Sequence, residues 1–495
     1  MKRITTLLLV ALFAVGGMAV AQAESNIDVK VKGRWDFSFG FVQHRNFTDK
    51  HDERQDDNFI IEQRIRTQVN FIVSENLQAV LQFEIGEMDW GRGGSVGQSS
   101  GAGLGADGVN VETKHAYLDW MVPETGLHFR MGLQPLMLPN ILGSAVFDDD
   151  IAAVVANYQI NEMFGLTVFW ARPYDHMRND GPSTSIDDEM DAFGIIVPVT
   201  LEGLTITPWF VYVNVGSYAM APVFGDATAV NLDSNLNNTS SVPAWWLGMA
   251  TEVTLFDPLT FGLEFNYGYL GRNTYHAYAT ETNTYLGNYS SETRGWYLAA
   301  NLNYTLDWGV PGIFGWYSSG DKASDVANGK FGRMPTLSPC WTGSSFGYEG
   351  YSGIGDIDAL GLAPIGTWGI GLQIADMSFI EDLSHTLKFL FIKGTNDADT
   401  VGNLFSDFPL ATASDVNDLL RSGFGTLGSL AANQYLTTKD YAYEVNFDHT
   451  YQIYENLAAV LELGFIHMER SESVWGKGFQ DTNAWRAQLE FQFTF

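Results

Sequence analysis

Ala484-Trp485-Arg486-Ala487-Gln488-Leu489-Glu490-Phe491-Gln492-Phe493-Thr494-Phe495 closes the chain. From Trp485 onward every second residue is apolar, and Arg486, Gln488, Glu490, Gln492 and Thr494 stand between. Period two is the signature of a strand with one oily and one wet face. Such a strand fits two architectures. In a soluble sandwich the oily face packs on a second sheet; in a closed membrane barrel it meets lipid while the polar face lines water.

The other end of the chain bears on that choice. Lys2 and Arg3 precede an apolar run over residues 4–15, and small residues follow, ending Ala21-Gln22-Ala23. This predicts a secretory signal peptide over residues 1–23, cleaved near Ala23-Glu24. No later stretch has the roughly 20 apolar residues of a spanning helix, so a mature chain that spans a membrane does so as a barrel. The formal net charge is −31; without Lys2 and Arg3 it is 25 basic against 58 acidic residues, or −33. That sign argues against nucleic acid as a partner. Cys340 is the only cysteine, which excludes an intramolecular disulfide framework. The mean hydropathy of −0.05 is what a barrel gives when its two faces cancel.

Alternation resumes over residues 27–41, with Ile27, Val29, Val31, Trp35, Phe37, Phe39 and Phe41 set against Asp28, Lys30, Lys32, Arg34, Asp36 and Ser38. A strand at the mature N-terminus leaves no room for a plug domain ahead of it. Strands then alternate with short turns (residues 74–76, 123–126, 161–163, 200–203, 256–258, 307–311, 377–384 and 454–456) and with long loops (44–58, 86–110, 172–187, 214–242, 271–292, 320–365 and 394–440). Short turns on one side and long loops on the other predict an all-β fold: a single closed antiparallel transmembrane barrel of 16 to 18 strands occupying residues 24–495. Tandem sandwiches would need linkers that are missing, and the rows Trp245, Leu247, Met249 and Leu259, Phe261, Leu263, Phe265 are too apolar for a solvent face.

Chemical motifs are sparse. Gly103, Gly105 and Gly108 fit G-x-G-x-x-G, but a loop precedes them and a strand follows, the wrong context for a dinucleotide. Asp356 and Asp358 begin like a calcium loop without its later glycine and glutamate. The nine histidines show no zinc spacing. No cofactor and no catalytic or metal site is expected. The informative pattern is electrostatic. The lumen face reads as polar or charged, with Trp209 and Trp246 as isolated inward aromatics. Lys30, Lys32, Arg34, Arg64, Arg66, Lys114 and Arg130, with His128 nearby, fall on the inward faces of the first five strands. Residues 135–150 form a loop ending Asp148-Asp149-Asp150. Were that loop to enter the lumen, the aspartates would face a basic wall across a narrow gap, a field that favours dipolar solutes. The expected constriction is Arg34, Arg64, Arg66, Lys114, Arg130, Asp148, Asp149 and Asp150.

The aromatic Phe495 at the end of a dyad-repeat strand resembles the closing strand of bacterial outer-membrane barrels. Phe83-Glu84-Ile85-Gly86, Leu104-Gly105-Ala106-Asp107-Gly108, Ala116-Tyr117-Leu118-Asp119-Trp120, Arg130-Met131-Gly132-Leu133-Gln134 and Trp170-Ala171-Arg172-Pro173-Tyr174 together resemble the outer-membrane homotrimeric porins of sulfate-reducing bacteria. The resemblance implies a Gram-negative outer-membrane location with lipid around each barrel and self-association into a trimer. It also implies an inward third loop at residues 135–150, passive diffusion of ions and small hydrophilic solutes, and Phe495 as the signal for barrel insertion. A solute-selective channel of the same fold is the alternative, and an outer-membrane hydrolase a more distant one.

Overall fold

The computed structural model describes residues 27–43, 58–91, 111–175, 189–216, 241–279, 284–345, 364–401, 435–475 and 481–495. The predicted signal peptide, the glycine run at 103–108 and the Asp356/Asp358 pair lie outside them.

Twenty strands join in one sheet. Two of these, Val199–Leu201 and Lys330–Phe331, are short side pieces, leaving eighteen in the wall. They are β1 (Asp28–Gln43), β2 (Asn58–Ser74), β3 (Leu77–Asp89), β4 (Val111–Met121), β5 (Leu127–Met137), β6 (Asp148–Gln159), β7 (Gly165–Asp175), β8 (Glu189–Ile196) and β9 (Leu204–Val215). There follow β10 (Val242–Phe256), β11 (Leu259–Ala279), β12 (Thr284–Tyr304), β13 (Val310–Ser318), β14 (Thr367–Ile380), β15 (Leu383–Gly394), β16 (Tyr441–Tyr454), β17 (Leu457–Glu469) and β18 (Asp481–Thr494). Each pairs antiparallel with the next. β18 returns to β1 in register from Arg34↔Thr494 to Gln43↔Trp485 and closes the barrel. Closure removes the sheet edges that would otherwise template aggregation.

The seam explains an interruption in the first strand's alternation. Gly33 occupies an outward position where its neighbours are Val31 and Trp35. Its backbone exchanges two hydrogen bonds with Phe495, at 2.8 and 3.1 Å. The Phe495 ring covers it so closely that a Cβ there would clash with Cζ. Glycine is what lets the last residue lie flat over the first strand.

Outward side chains are large, apolar and exposed, among them Leu118, Phe193, Phe210, Leu247, Phe261, Leu302, Ile370, Phe389, Phe447 and Phe493. Aromatics gather at both rims. Trp308 stacks on Phe379 at 5.8 Å near the short turns, and Trp296 on Tyr317 at 5.0 Å toward the other end. Among the described residues no helix is long and apolar enough to cross a membrane.

Three boundaries differ from the sequence-based expectation. The sequence pattern marks residues 271–292 as loop, whereas β11 and β12 extend as one long hairpin, paired from Asn273↔Ser291 out to Ala279↔Thr284. The turn expected over residues 377–384 narrows to Glu381 and Asp382, the latter held at φ 62°. The expected loop 135–150 is strand at both ends, with Pro135↔Asp150, Leu136↔Asp149 and Met137↔Asp148 in register. Only residues 138–147 connect β5 to β6. In each case the ladder hydrogen bonds between neighbouring strands run past the bounds that the sequence pattern marks.

Candidate functional site

The even-numbered residues of β1 and β2 point inward. Arg34 donates through Nη2 to Glu490 on β18 at 2.9 Å and through Nε to Asp36. Arg64 Nη2 lies 3.9 Å from Asp36, and Arg66 donates to Glu84 on β3. Further round, Asp119 on β4 faces Arg130 on β5 at 3.6 Å and bonds His128, while the Arg130 guanidinium lies 5.0 Å over the Tyr117 ring. The long side chains reach the lumen and the short ones hug the wall. Arg34, Arg66 and Arg130 are 32–38 % exposed, whereas Asp36 and Glu490 are 0–1 % exposed. The accessible charge along β18 to β5 is therefore positive, with carboxylates held behind it.

The aspartate triplet does not face these arginines. Asp150 reaches across β5 to Lys114 and His115 on β4, each at 2.7 Å. Asp149 accepts from Ser338 Oγ at 2.7 Å, and Asp148 bonds the Ser338 carbonyl through its backbone and Cys340 through its side chain. Of the expected constriction, Arg34, Arg64 and Arg66 form one set with carboxylates of their own wall. Arg130 forms a second with Asp119. Lys114 joins Asp150 alone. Opposite charges one or two strands apart on a pleated wall lie closer than charges across the barrel, so local pairs form first.

Two segments enter the barrel and join each other. The first is the β5–β6 connection; the second, residues 334–345, falls inside the loop expected over residues 320–365. Gly143–Ser144 pairs with Cys340–Trp341, and Phe147 bridges to Ser338. Each segment is held by a buried wall carboxylate. Glu264 on β11 accepts the Ile141 N–H at 3.0 Å and the amide of Asn266 at 2.7 Å. Glu444 on β16 accepts the Ser345 N–H at 2.8 Å, the Ser344 hydroxyl at 2.6 Å and the amide of Asn446 at 2.6 Å. Both carboxylates are 0 % exposed and inward-facing. Trp246 fastens the second segment again, donating to the Pro335 carbonyl at 2.7 Å, and Trp341 meets Trp316 edge-on at 4.8 Å.

The expectation of a polar lumen throughout is corrected on the side of β6 to β13. There Ala153, Val155, Ala171, Ala192, Val211, Ala244 and Tyr297 pack on Leu138, Val146, Phe147, Met334 and Trp341 in one apolar core. Trp209 and Trp246, the two tryptophans expected on the inward face, belong to that core at 4 % and 0 % exposure, and Trp316 on β13 joins them. A strand with apolar surroundings on both faces loses its alternation, as over Ala192-Phe193-Gly194-Ile195-Ile196-Val197. Strand alternation does not single out Glu264 or Glu444. What marks them is a shared spacing, Glu264-Phe265-Asn266 and Glu444-Val445-Asn446, in which the asparagine two residues on lies on the same face.

Above the wall, connections interlock. Asp321 accepts from Arg333 Nε at 2.9 Å and from Tyr435 Oη at 3.1 Å. Burial, then the Asp321 charge, holds the Tyr435 phenol well above its ordinary range. Burial lowers Arg470 to about 10 against the raising effect of Asp440. Among the described residues no group of three or more His, Cys, Asp or Glu could hold a metal ion.

No protein-family model and no curated protein matches the chain. Among solved structures it is similar to the outer membrane protein OprD from Pseudomonas aeruginosa, at 10 % identity over 96 % of each chain with a TM-score of 0.49. It is also similar to OccAB3 from Acinetobacter baumannii, at 10 % identity over 94 % of this chain and 100 % of that one, with a TM-score of 0.48. A third, OpdL from Pseudomonas aeruginosa, shares 10 % identity over 94 % and 99 %, with a TM-score of 0.47. Similarity at this level ties the chain to no family, and the barrel stands on its own strand pairing.

Proposed function

We propose that the chain is a non-enzymatic outer-membrane channel of a Gram-negative bacterium, passing ions and small hydrophilic solutes by passive diffusion. The observation that carries this reading is the two-faced wall: large apolar side chains exposed outward, half-exposed arginines inward along β18 to β5. Closed barrels of this strand number leave room for an aqueous path. With the first segment packed against β6 to β13 and the second reaching on to Glu444 on β16 and Arg486 on β18, that path runs off-centre, past Arg34, Arg66 and Arg130. Lipid surrounds the outer face, and three copies assemble side by side.

A second reading, a solute-selective channel, is favoured by the same packing, because a lumen partly filled by protein is narrower than an open barrel. Planar-bilayer recording of the purified protein under a salt gradient tests both. Unsaturating ohmic steps in threes support general diffusion, saturable solute block supports selectivity, and silence under all conditions removes the channel reading.

A further inference from the structure

His385 on β15 and His449 on β16 stand directly opposite each other across the ladder. Their neighbours Leu387, Phe389, Val445 and Phe447 are exposed on the outer face, so the two rings share that face. His385 follows Leu383 by two residues, which puts the pair at the rim of the short turns, just inside exposed Tyr451. Nδ1 of one ring lies 2.6 Å from Nδ1 of the other. Phe447 packs on both, its ring centroid 4.2 Å from His449 and 6.0 Å from His385.

As a plain hydrogen bond this pair shares one proton: one ring donates Nδ1–H and the other accepts. The same geometry also serves as a chelate. Metal–imidazole bonds are about 2.0–2.1 Å. Two such bonds meeting at about 90°, as neighbouring positions of a tetragonal ion do, place the nitrogens about 2.9 Å apart; the tetrahedral angle of zinc places them about 3.3 Å apart. From 2.6 Å the first needs a shift of about 0.3 Å and the second about 0.7 Å. Unbroken pairing on both sides, Leu383↔Tyr451 to Leu387↔Phe447, fixes the backbones, so the smaller shift wins.

We propose that His385 and His449 form a two-imidazole site for a tetragonal divalent ion, copper(II) first and nickel(II) after it. Imidazole suits both ions, and the affinity order of such sites peaks at copper. Both Nδ1 atoms coordinate; the proton of the donating ring moves to its own Nε2 through solvent, so charge and protons balance. At the rim of the short turns, beside exposed Tyr451, the remaining positions take interfacial water. Met377 lies opposite His385 on β14, but its Cγ packs beside Gly309, and it is not counted as a ligand. The inference rests on strand geometry alone and is independent of the channel reading.

The test is copper(II) titration of the folded full chain in detergent, carrying no polyhistidine tag, followed by electron paramagnetic resonance. The expected result is one copper per barrel with a two-nitrogen tetragonal signal, bound roughly tenfold or more tighter than any residual site. His385→Ala and His449→Ala should each abolish the signal, while unboiled gel mobility shows that both variants still fold. Nickel(II) should compete more strongly than zinc(II). Copper bound equally well by both variants, or zinc preferred over copper, overturns the proposal, and so does the absence of any tight copper in the unmodified chain.

Discussion

Replacing Glu264 with alanine should loosen the inward segments. Its two oxygens hold the Ile141 N–H at 3.0 Å and the Asn266 amide at 2.7 Å, at a site that is 0 % exposed. Removing the acceptor of a buried N–H forfeits the hydrogen bond and leaves the donor unsatisfied, a loss of about 1.5–3 kcal/mol. Losing the Ile141 bond should therefore raise the undocked population of residues 138–147 by about 10- to 150-fold. Glu264→Gln is the control. Its carbonyl can still accept from Ile141, and a flipped Asn266, whose Oδ1 has no partner among the described residues, can accept from the new amide. It should stay near the parent. Two assays read the effect: open-channel noise and conductance in bilayers, and the labelling rate of Cys340, the only cysteine, which sits on the paired segment. Alanine should raise both and glutamine neither. Equal labelling of all three proteins would refute the latch, as would a glutamine variant as loose as alanine.

Glu444→Ala should act in the same way on residues 334–345, and the double variant should exceed either single change, because the two carboxylates hold different segments of one joined body; conductance reads it. Gly33→Val should lower the temperature at which the barrel loses its folded gel mobility, since the new Cβ would meet the Phe495 ring and, at 2.6 Å, the Arg66 carbonyl, an overpacking of about 1–3 kcal/mol. Phe495→Ala in that background should restore only part, because the carbonyl clash remains. Arg64→Ala with Arg66→Ala should shift the reversal potential toward cations by exposing Asp36 and Glu84. Adding Glu84→Ala should reverse part of that shift, and an unchanged potential would place these residues off the path.

The seam and the approximate strand count were legible because period-two alternation is local: Trp485 to Phe495 and Ile27 to Phe41 declare their faces without help from the rest of the chain. Charge identity was legible too, so Arg34, Arg64, Arg66 and Arg130 were placed on the inward wall. Their partners were not. Whether Arg34 meets Asp150 or Glu490 depends on which strand closes against which, 456 positions apart in the chain.

The sequence by itself determined a two-faced sheet, its approximate size and its closure by the last strand on the first, since each follows from side chains at neighbouring positions. Tertiary structure alone decided the interior. Residues 138–147 and 334–345 carry no periodic signal, and their places are set by a few long-range bonds, those to Glu264, Glu444 and Trp246 among them, and by an apolar core assembled from many strands at once. Such contacts have no trace in local pattern, because the buried carboxylate and the backbone N–H that it holds become neighbours only after the barrel has closed.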